Sequence, residues 1–294
     1  MTARFAIGID VGGTKIAAAL VNTTTGALRD RQQLATMPER GGAAVLASVR
    51  ACMATLTQAA RVQGITVTAT GIGICEIVDN GGRLRSAALI DWRDLDASVA
   101  TDQTPPAHLV ADVRAAALAE ARLGQAKGVG HALFVSVGTG IASVPLVAGI
   151  PYAGAHGAAL VMASAAKLGG DDLQTLEEFA SGPGLARLYG EGADARRVIA
   201  AAAAGERRAV SLVAEAASRL GEAIGQLANC LDPEMIIIGG GLGSAPGPYF
   251  DHLKKHITDS LWSGVQRRVT IAQAALGADA GVIGAALAAV EGIH

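Results

Sequence analysis

The chain has little cysteine and no strong excess of either charge. Three cysteines occur among 294 residues, at the scattered positions Cys52, Cys75 and Cys230. They form neither a disulfide framework nor a C-x-x-C metal clip, so a reducing, cytoplasmic compartment is expected. A formal net charge of −2 without a basic cluster argues against nucleic acid as the main partner.

Long hydrophobic runs and a targeting segment are also lacking. Hydrophobic residues make up 51% of the chain, but many are alanine, and no run of 18 or more strongly apolar residues predicts a membrane span. The N-terminus shows no basic region followed by an apolar stretch and a cleavage site, so no signal peptide is expected. A chain of 294 residues buries a large core and typically forms two domains.

Two familiar phosphate-binding fingerprints are absent as well. The sequence contains no Walker P-loop, and its glycine-rich turn at residues 12–14 does not open a helix, as the dinucleotide fingerprint requires. Instead, FAIGIDVGGTKIAAALV at residues 5–21 joins two apolar runs through Gly12-Gly13-Thr14. This pattern predicts two strands joined by a tight turn. Glycine permits positive φ and keeps side chains away from a ligand, and consecutive N–H groups in such a turn suit phosphate oxygens.

Polar side chains surround this turn. Thr14 adds a hydroxyl, Lys15 a positive charge, and Asp10 a carboxylate at the end of a buried strand. A carboxylate is costly there unless it meets a donor or a metal-bound water. The alternative interpretation is an ordinary hairpin with a chance acidic residue.

The first turn has a counterpart about half the chain away. Ser136-Val137-Gly138-Thr139-Gly140 again places glycine and threonine at the tip of a buried hairpin, and the buried strand at 235–238 ends in Gly239-Gly240-Gly241. Strands and helices alternate between these points, which indicates α/β layers. The simplest interpretation is a duplicated α/β domain with two phosphate-binding hairpins facing a cleft; a flexible loop is the alternative for the triple glycine.

These segments together resemble the ROK sugar kinases, a family of repressors, open reading frames and kinases. The likeness runs from Ile7 to about Ala289. It is carried by two phosphate motifs, a catalytic segment, an adenosine motif and a C-terminal segment: DVGGTK at 10–15, SVGTG at 136–140, ADVRAAALAEARLG at 111–124, IIIGGGLG at 236–243 and GADAGVIGAALAA at 277–289.

The resemblance implies a two-domain, actin-like ATPase fold (ribonuclease H-like) with a duplicated core and a central cleft. We expect a small N-terminal α/β domain of residues 1–111 plus 280–294 and a larger one of residues 112–279. The implied cofactors are ATP and Mg²⁺, and the implied ligand is a small sugar-like substrate. The resemblance also implies that the protein is a homodimer. The implied nucleotide-side residues are Asp10, which holds Mg²⁺ through water, with Gly12, Gly13, Thr14, Lys15, Gly138, Thr139, Gly140, Gly239, Gly240 and Gly241.

The same resemblance assigns the general base to Asp112. A hydroxyl becomes a good nucleophile only when its proton has an acceptor, and a carboxylate within hydrogen-bond reach supplies one. The alternative is that Asp112 is only the N-cap of the alanine-rich helix that follows, because aspartate is a favoured residue there. The two roles are compatible.

The chain departs from the family on the sugar side. In the catalytic segment, Ala111 and Arg114 stand where the family usually has asparagine. The family's G-E-I-G-H segment falls on residues 160–164, where Val161 replaces glutamate and Ser164 replaces histidine. The family's zinc knuckle has no counterpart, since residues 167–176 contain no cysteine. We therefore expect no zinc.

Three further residues are candidate substrate ligands beside Asp112. Glu76 lies in GICEIVD at 73–79, where the family has G-I-P-G-P-V-D; His156 stands where asparagine is usual; Glu177 keeps the acid of L-E-x-x-x-S-G. Two of them have a plainer alternative: Glu76 as a solvated loop acid and His156 as a satisfied polar loop residue. Three roles are open for Arg114: it pairs with Asp112, it reaches a phosphate, or it lies on a helix surface. The pattern predicts a poor fit for plain glucose and a better fit for a cyclitol or aminosugar.

Two rival functions follow from the same family. A repressor carries a DNA-binding segment before the kinase-like part, for which Asp10 leaves no room, so this function is not expected. A catalytically weak or inactive binding protein is favoured by the altered sugar side and disfavoured by the retained Asp10, Asp112 and both Gly-Thr turns. Closure of the cleft on ligand is also expected, because water must be excluded from the γ-phosphate.

Overall fold

A computed structural model describes residues 4–92, 107–159, 163 and 175–294. The strands within these residues are β1 (Phe5–Val11), β2 (Lys15–Asn22), β3 (Leu28–Ala35), β4 (Val67–Ile74), β5 (Ala107–Ala111), β6 (His131–Val137), β7 (Ile141–Val147), β8 (Ile150–Pro151), β9 (Met235–Gly239) and β10 (Thr270–Gln273). The α-helices are α1 (Gly42–Val62), α2 (Asp112–Leu123), α3 (Leu176–Ala180), α4 (Gly182–Tyr189), α5 (Ala195–Ala203), α6 (Arg207–Leu231), α7 (Gly240–Gly243), α8 (Pro248–Ser260) and α9 (Ala280–Glu291).

The two sheets repeat one topology. The first has the order β3-β2-β1-β4-β5 and the second the order β8-β7-β6-β9-β10. In each, an antiparallel hairpin (β1–β2, β6–β7) is followed by two parallel strands on the other side of its first strand. The central strands are almost entirely buried, as continuous apolar runs predict for strands covered on both faces. The predicted duplicated α/β core is confirmed.

The chain divides into two compact units. The first comprises residues 1–127, 151–159 and 278–294, and the second comprises residues 128–150 and 160–277. The division differs from the expected boundary at residue 111, because α2 packs along α9 within the first unit. Gly284 makes this packing possible, since any side chain there would overlap the backbone carbonyl of Ala115.

Each unit has its own hydrophobic core. In the first, one face of α1 packs on β1 and β2 through residues such as Val45, Val49 and Leu56. This helix is long and apolar enough to cross a membrane by length and composition, which is weak evidence because the core helix of a soluble protein passes the same test. In the second unit, α6 and α8 pack together, with β6 and β9 supplying the sheet side of the core.

Candidate active site

The first glycine-rich turn closes the β1–β2 hairpin. The N–H of Gly12 donates to the carbonyl of Lys15 at 3.0 Å, and the hydroxyl of Thr36 donates to the carbonyl of Gly12 at 2.6 Å. Thr14 and Lys15 are exposed. Neither Gly12 nor Gly13 has a positive φ, so the sequence argument from positive φ is wrong for this turn. What glycine supplies here is the absence of a side chain over the turn.

Asp10 lies one residue before the end of β1, beside the start of α9. Gly281 in the first turn of α9 is required for this contact, because a Cβ there would overlap the Asp10 carboxylate. Within the described residues, no group donates a hydrogen bond to that carboxylate. Burial raises the pKa of Asp10 to about 6, and the nearby positive charge of Lys15 partly opposes this effect. The carboxylate therefore has free acceptor capacity next to the first turn.

Asp112 is the first residue of α2. The N-cap is Ala111, which makes no side-chain bond, and among the described residues the Asp112 carboxylate accepts only the N–H of Val113, at 2.6 Å. It does not bond the second or third helical N–H in the manner of an N-cap side chain. Burial raises the pKa of Asp112 to about 7, with the charges of Asp10 and Glu76 adding to the rise and the Val113 N–H opposing it.

A small acidic cluster thus surrounds the start of α2. Cys75, the residue directly after β4, lies among these carboxylates. Burial, with a smaller contribution from the charges of Asp112, Glu76 and Asp10, holds the pKa of its thiol far above the usual range. A thiol in that state is a poor nucleophile. Cys75 comes close to Asp10 and Asp112 because β1, β4 and β5 pair side by side.

Glu76 is buried, with 6% of its surface exposed. Its two carboxylate oxygens accept bonds from the Ser86 hydroxyl and from the N–H groups of Ala88, Leu89 and Ile90. The solvated-loop alternative is therefore wrong. The predicted contact with substrate would require some of these bonds to be exchanged.

Arg114 is also buried, on α2 two residues after Asp112. Its guanidinium donates to the carbonyls of Val78 and of Gly157, the latter at 2.9 Å, while its Nε atom has no partner. Burial lowers the pKa of Arg114 to about 10, and the charge of Asp79 opposes this. None of the three sequence alternatives for Arg114 describes this role, which is to join α2 to two loops.

His156 is exposed and lines a cavity of about 510 Å³. The remaining walls come from the loop after β4 and from neighbours of His156, namely Ile77, Asp79, Asn80, Gly81, Arg85, Ala155 and Ala158. Asp112 is not among these lining residues. The role of His156 as a substrate ligand therefore stays a prediction.

The second unit brings the other nucleotide-side residues together. The N–H of Gly138 donates to the carbonyl of Gly140 at 2.9 Å, and Gly182 donates to the carbonyl of Gly138 at 2.9 Å. A Cβ on Gly138 would lie 3.5 Å from the N atom of Gly241. The Gly138–Gly140 turn and the triple glycine, which opens α7, are thus neighbours. Within the triple glycine only Gly240 requires positive φ, at 79°.

Glu177 supports the same turn. It lies in α3, and its Oε2 atom accepts the N–H of Ile141, the residue after Gly140, at 2.7 Å. A Cβ on Gly140 would lie 2.9 Å from this oxygen. Thr139 and Gly140 remain exposed. The structure gives Glu177 a turn-supporting role, and its predicted contact with substrate stays a prediction.

Comparison with known proteins decides the family. The sequence model described as "ROK family" matches residues 6–291. The chain belongs to the ROK family. A glucokinase of Halalkalibacterium halodurans is 29% identical over 312 residues, which cover 97% of this chain and 94% of that protein. The bifunctional enzyme NanE/NanK of Brucella melitensis is 33% identical over 283 residues, covering 95% of this chain and 53% of the enzyme. The chain therefore spans about half the length of that relative.

A solved ROK structure gives the same answer for the fold. The ROK family glucokinase from Streptomyces griseus, in complex with glucose and AMPPNP, superimposes with a TM-score of 0.85 at 27% sequence identity, over 98% of this chain and 99% of that one. The fold is therefore the two-domain, actin-like ATPase fold that the sequence predicts.

Two ROK segments fall outside the described residues. In the altered G-E-I-G-H segment at 160–164, the structure describes only Ala163, which is buried. The zinc-knuckle region at 167–174 lies wholly outside the described residues. Within the described residues, no group of three or more His, Cys, Asp or Glu side chains could hold a metal ion. The expected lack of zinc rests on the sequence alone.

Proposed function

We propose that this ROK protein is an ATP-dependent carbohydrate kinase that phosphorylates a hydroxyl of a sugar or sugar-like polyol, with Asp112 as the general base. Membership of a family whose named relatives include glucokinases supports the reaction class. The observation that carries the assignment of the base is the pKa of Asp112, raised to about 7. A general base works best when its pKa lies near the operating pH.

The proposed reaction transfers one proton and one phosphoryl group. Asp112 takes the proton of the acceptor hydroxyl as the oxygen forms a bond to the γ-phosphorus of ATP, and the bond from that phosphorus to its bridging oxygen breaks to release ADP. A positioned base contributes typically 10²- to 10⁴-fold to such a rate. Most of the remaining catalysis in phosphoryl transfer comes from positioning and charge neutralisation.

The chain's own residues fit ATP and Mg²⁺. Asp10 offers a carboxylate to which no donor among the described residues bonds, and Mg²⁺ is typically held by one or two carboxylates together with phosphates and waters. When bound, Mg²⁺ neutralises charge on the phosphates. We assign Gly12, Gly13, Thr14 and Lys15 to the phosphates from the first unit. From the second unit, we assign the turn at 138–140 to the phosphates and the glycines at 239–241 to the adenosine.

The substrate is proposed to differ from plain glucose. Valine at position 161 offers no hydrogen bond where the family's glutamate would accept one from a sugar hydroxyl, a loss of about 1.5–3 kcal/mol. Replacing the asparagine, glutamate and histidine together removes several powers of ten in specificity unless other groups compensate. A cyclitol or an aminosugar, which presents different groups at that end, suits the chain better.

A panel assay tests this proposal. Purified protein is incubated with ATP, Mg²⁺ and each of glucose, mannose, N-acetylmannosamine, glucosamine and myo-inositol, and ADP release is measured against a control without acceptor. We expect turnover of at least one polyol and poor turnover of glucose. Robust glucose turnover at millimolar KM would refute the substrate proposal.

The second candidate is a ROK-like binding or regulatory protein with little or no catalysis. The specific observation in its favour is the sequence of the sugar side, where Ala111, Val161 and Ser164 replace the family's polar residues. No ADP release with any polyol, combined with saturable sugar binding, would favour this function.

A further inference from the structure

We propose that Glu76 is a positioning residue: its carboxylate holds residues 86–90 beside the first phosphate turn. The inference rests on the proposed kinase function for its catalytic consequence. It replaces the sequence-based hypothesis that Glu76 binds substrate directly.

The carboxylate is bound by four donors from a single segment. Oε2 accepts from the Ser86 hydroxyl and from the N–H of Ala88 at 2.9 Å. Oε1 accepts from the N–H of Leu89 at 2.9 Å and of Ile90 at 3.3 Å. Three consecutive N–H groups that converge on one anion form the kind of concavity that binds phosphates elsewhere. Here an internal carboxylate fills it.

The held segment lies against the nucleotide side of the first unit. A Cβ on Gly13 would lie 3.5 Å from the Cδ1 atom of Leu89, so Leu89 covers the Gly12–Gly13 turn. The backbone carbonyl of Asp91, the residue after the held segment, accepts the N–H of Gly42 at 3.0 Å and ties the segment to the start of α1. Residues 87–91 also form one wall of a cavity of about 700 Å³, opposite residues 38–41. Loss of the Glu76 bonds would therefore loosen the cover of the turn.

The four hydrogen bonds to the Glu76 carboxylate favour a positioning role over direct binding of substrate. Three backbone N–H groups and one hydroxyl engage both oxygens, and Ser86 is itself fixed by accepting the N–H of Ile77 at 2.8 Å. An incoming hydroxyl would have to displace one of these bonds. A buried N–H left without an acceptor is strongly unfavourable. The arrangement thus favours a structural anion over a substrate ligand.

The test compares Glu76→Gln with two matched variants. Glutamine keeps the shape, but its NH₂ end cannot accept a hydrogen bond, so at least one N–H among residues 88–90 loses its partner. Ser86→Ala keeps the Glu76 charge and removes one donor. Glu120→Gln neutralises another buried glutamate, located near the far end of α2, that accepts the N–H of Gln125 at 2.8 Å.

Two measurements are made on each variant. Amide hydrogen exchange at residues 88–90 reports the hold on the segment and requires no activity. We expect exchange about tenfold faster or more in Glu76→Gln and near the wild-type rate in Glu120→Gln, since a lost hydrogen bond of about 1.4 kcal/mol corresponds to that factor. The KM for ATP and the KM for an accepted polyol, measured beside kcat, report which ligand the change affects.

The two KM values have distinct expected outcomes. A looser cover over the Gly12–Gly13 turn should raise the KM for ATP about threefold or more in Glu76→Gln and leave the KM for the polyol near the wild-type value. Ser86→Ala, which removes one of the four donors, should give a smaller rise, and Glu120→Gln should change neither KM. If the wild type transfers no phosphate, the proposed function fails, while hydrogen exchange still decides the positioning role. Unchanged exchange at 88–90 in Glu76→Gln, or a KM that rises for the polyol alone, would overturn the inference.

Discussion

Asp112→Asn should make the folded protein more stable at pH 8 while it removes catalysis. The pKa of Asp112 is raised from 3.8 to about 7, so the folded state binds this proton more tightly than the unfolded state does. The stabilising contribution of the protonated form is fully present below about pH 4 and is lost as the pH rises to about 7. Asparagine carries no charge at any of these values and avoids the loss.

The size of the effect follows from the shift. A tenfold change in proton affinity corresponds to about 1.4 kcal/mol, so a rigid site would lose about 4 kcal/mol of unfolding free energy by pH 8. Water entry and local relaxation reduce this value, and we expect the variant to be about 1–3 kcal/mol more stable than the wild type at pH 8. At pH 4 the two proteins should differ little.

Urea denaturation at pH 4, 6 and 8 measures this difference directly. Asp251→Asn serves as the matched control, because Asp251 is an exposed carboxylate in the first turn of α8 and its loss removes a favourable charge at a helix start without relieving burial. A gain in Asp112→Asn no larger than in the control, or one that does not grow with pH, would refute the argument that Asp112 is held in an unfavourable, functional environment.

Two further predictions concern groups that fix the site. Gly281→Ala places a methyl group against the Asp10 carboxylate and should weaken Mg²⁺-dependent ATP binding at least tenfold by calorimetry; Gly264→Ala, which meets nothing within 4 Å, should leave it unchanged. Arg114→Met leaves two backbone carbonyls without their donors and should lower the free energy of unfolding by about 2–5 kcal/mol. Its control, Arg122→Ala, removes a surface ion pair made from the same helix and should lower the free energy of unfolding by about 1 kcal/mol or less. Equal effects in either pair would contradict the reasoning.

The sequence predicted the elements that depend on local pattern. The hairpin at residues 5–21, its counterpart around Gly138 and the alanine-rich α2 were all foreseen, because apolar runs, turn glycines and helix-forming residues act over a few positions. By contrast, β3 carries the largely polar sequence LRDRQQLA and is mostly exposed. It is a strand because it pairs with β2 at the sheet edge, and it lacks the apolar alternation by which strands are recognised.

The candidate site was predicted unevenly for a related reason. Asp10 lies near the end of buried β1 and Asp112 directly follows β5, and the motifs that contain them are visible in the sequence. The bonds of Glu76 reach residues 10 to 14 positions away, and those of Arg114 reach Gly157, 43 positions away. Such side-chain to backbone contacts depend on loop conformation, which periodicity does not describe. The packing of α2 on α9, which the division into compact units follows, likewise joins distant parts of the chain.

The most direct test of the account measures nucleotide binding and phosphoryl transfer side by side in the wild type and in Asp112→Asn. ATP binding is followed by calorimetry with Mg²⁺ present, and transfer from γ-labelled ATP to an accepted polyol is followed in single turnovers. We predict that the variant binds ATP within about threefold of the wild type and transfers phosphate 10²- to 10⁴-fold more slowly. Transfer at the wild-type rate by Asp112→Asn would contradict the assignment of the general base.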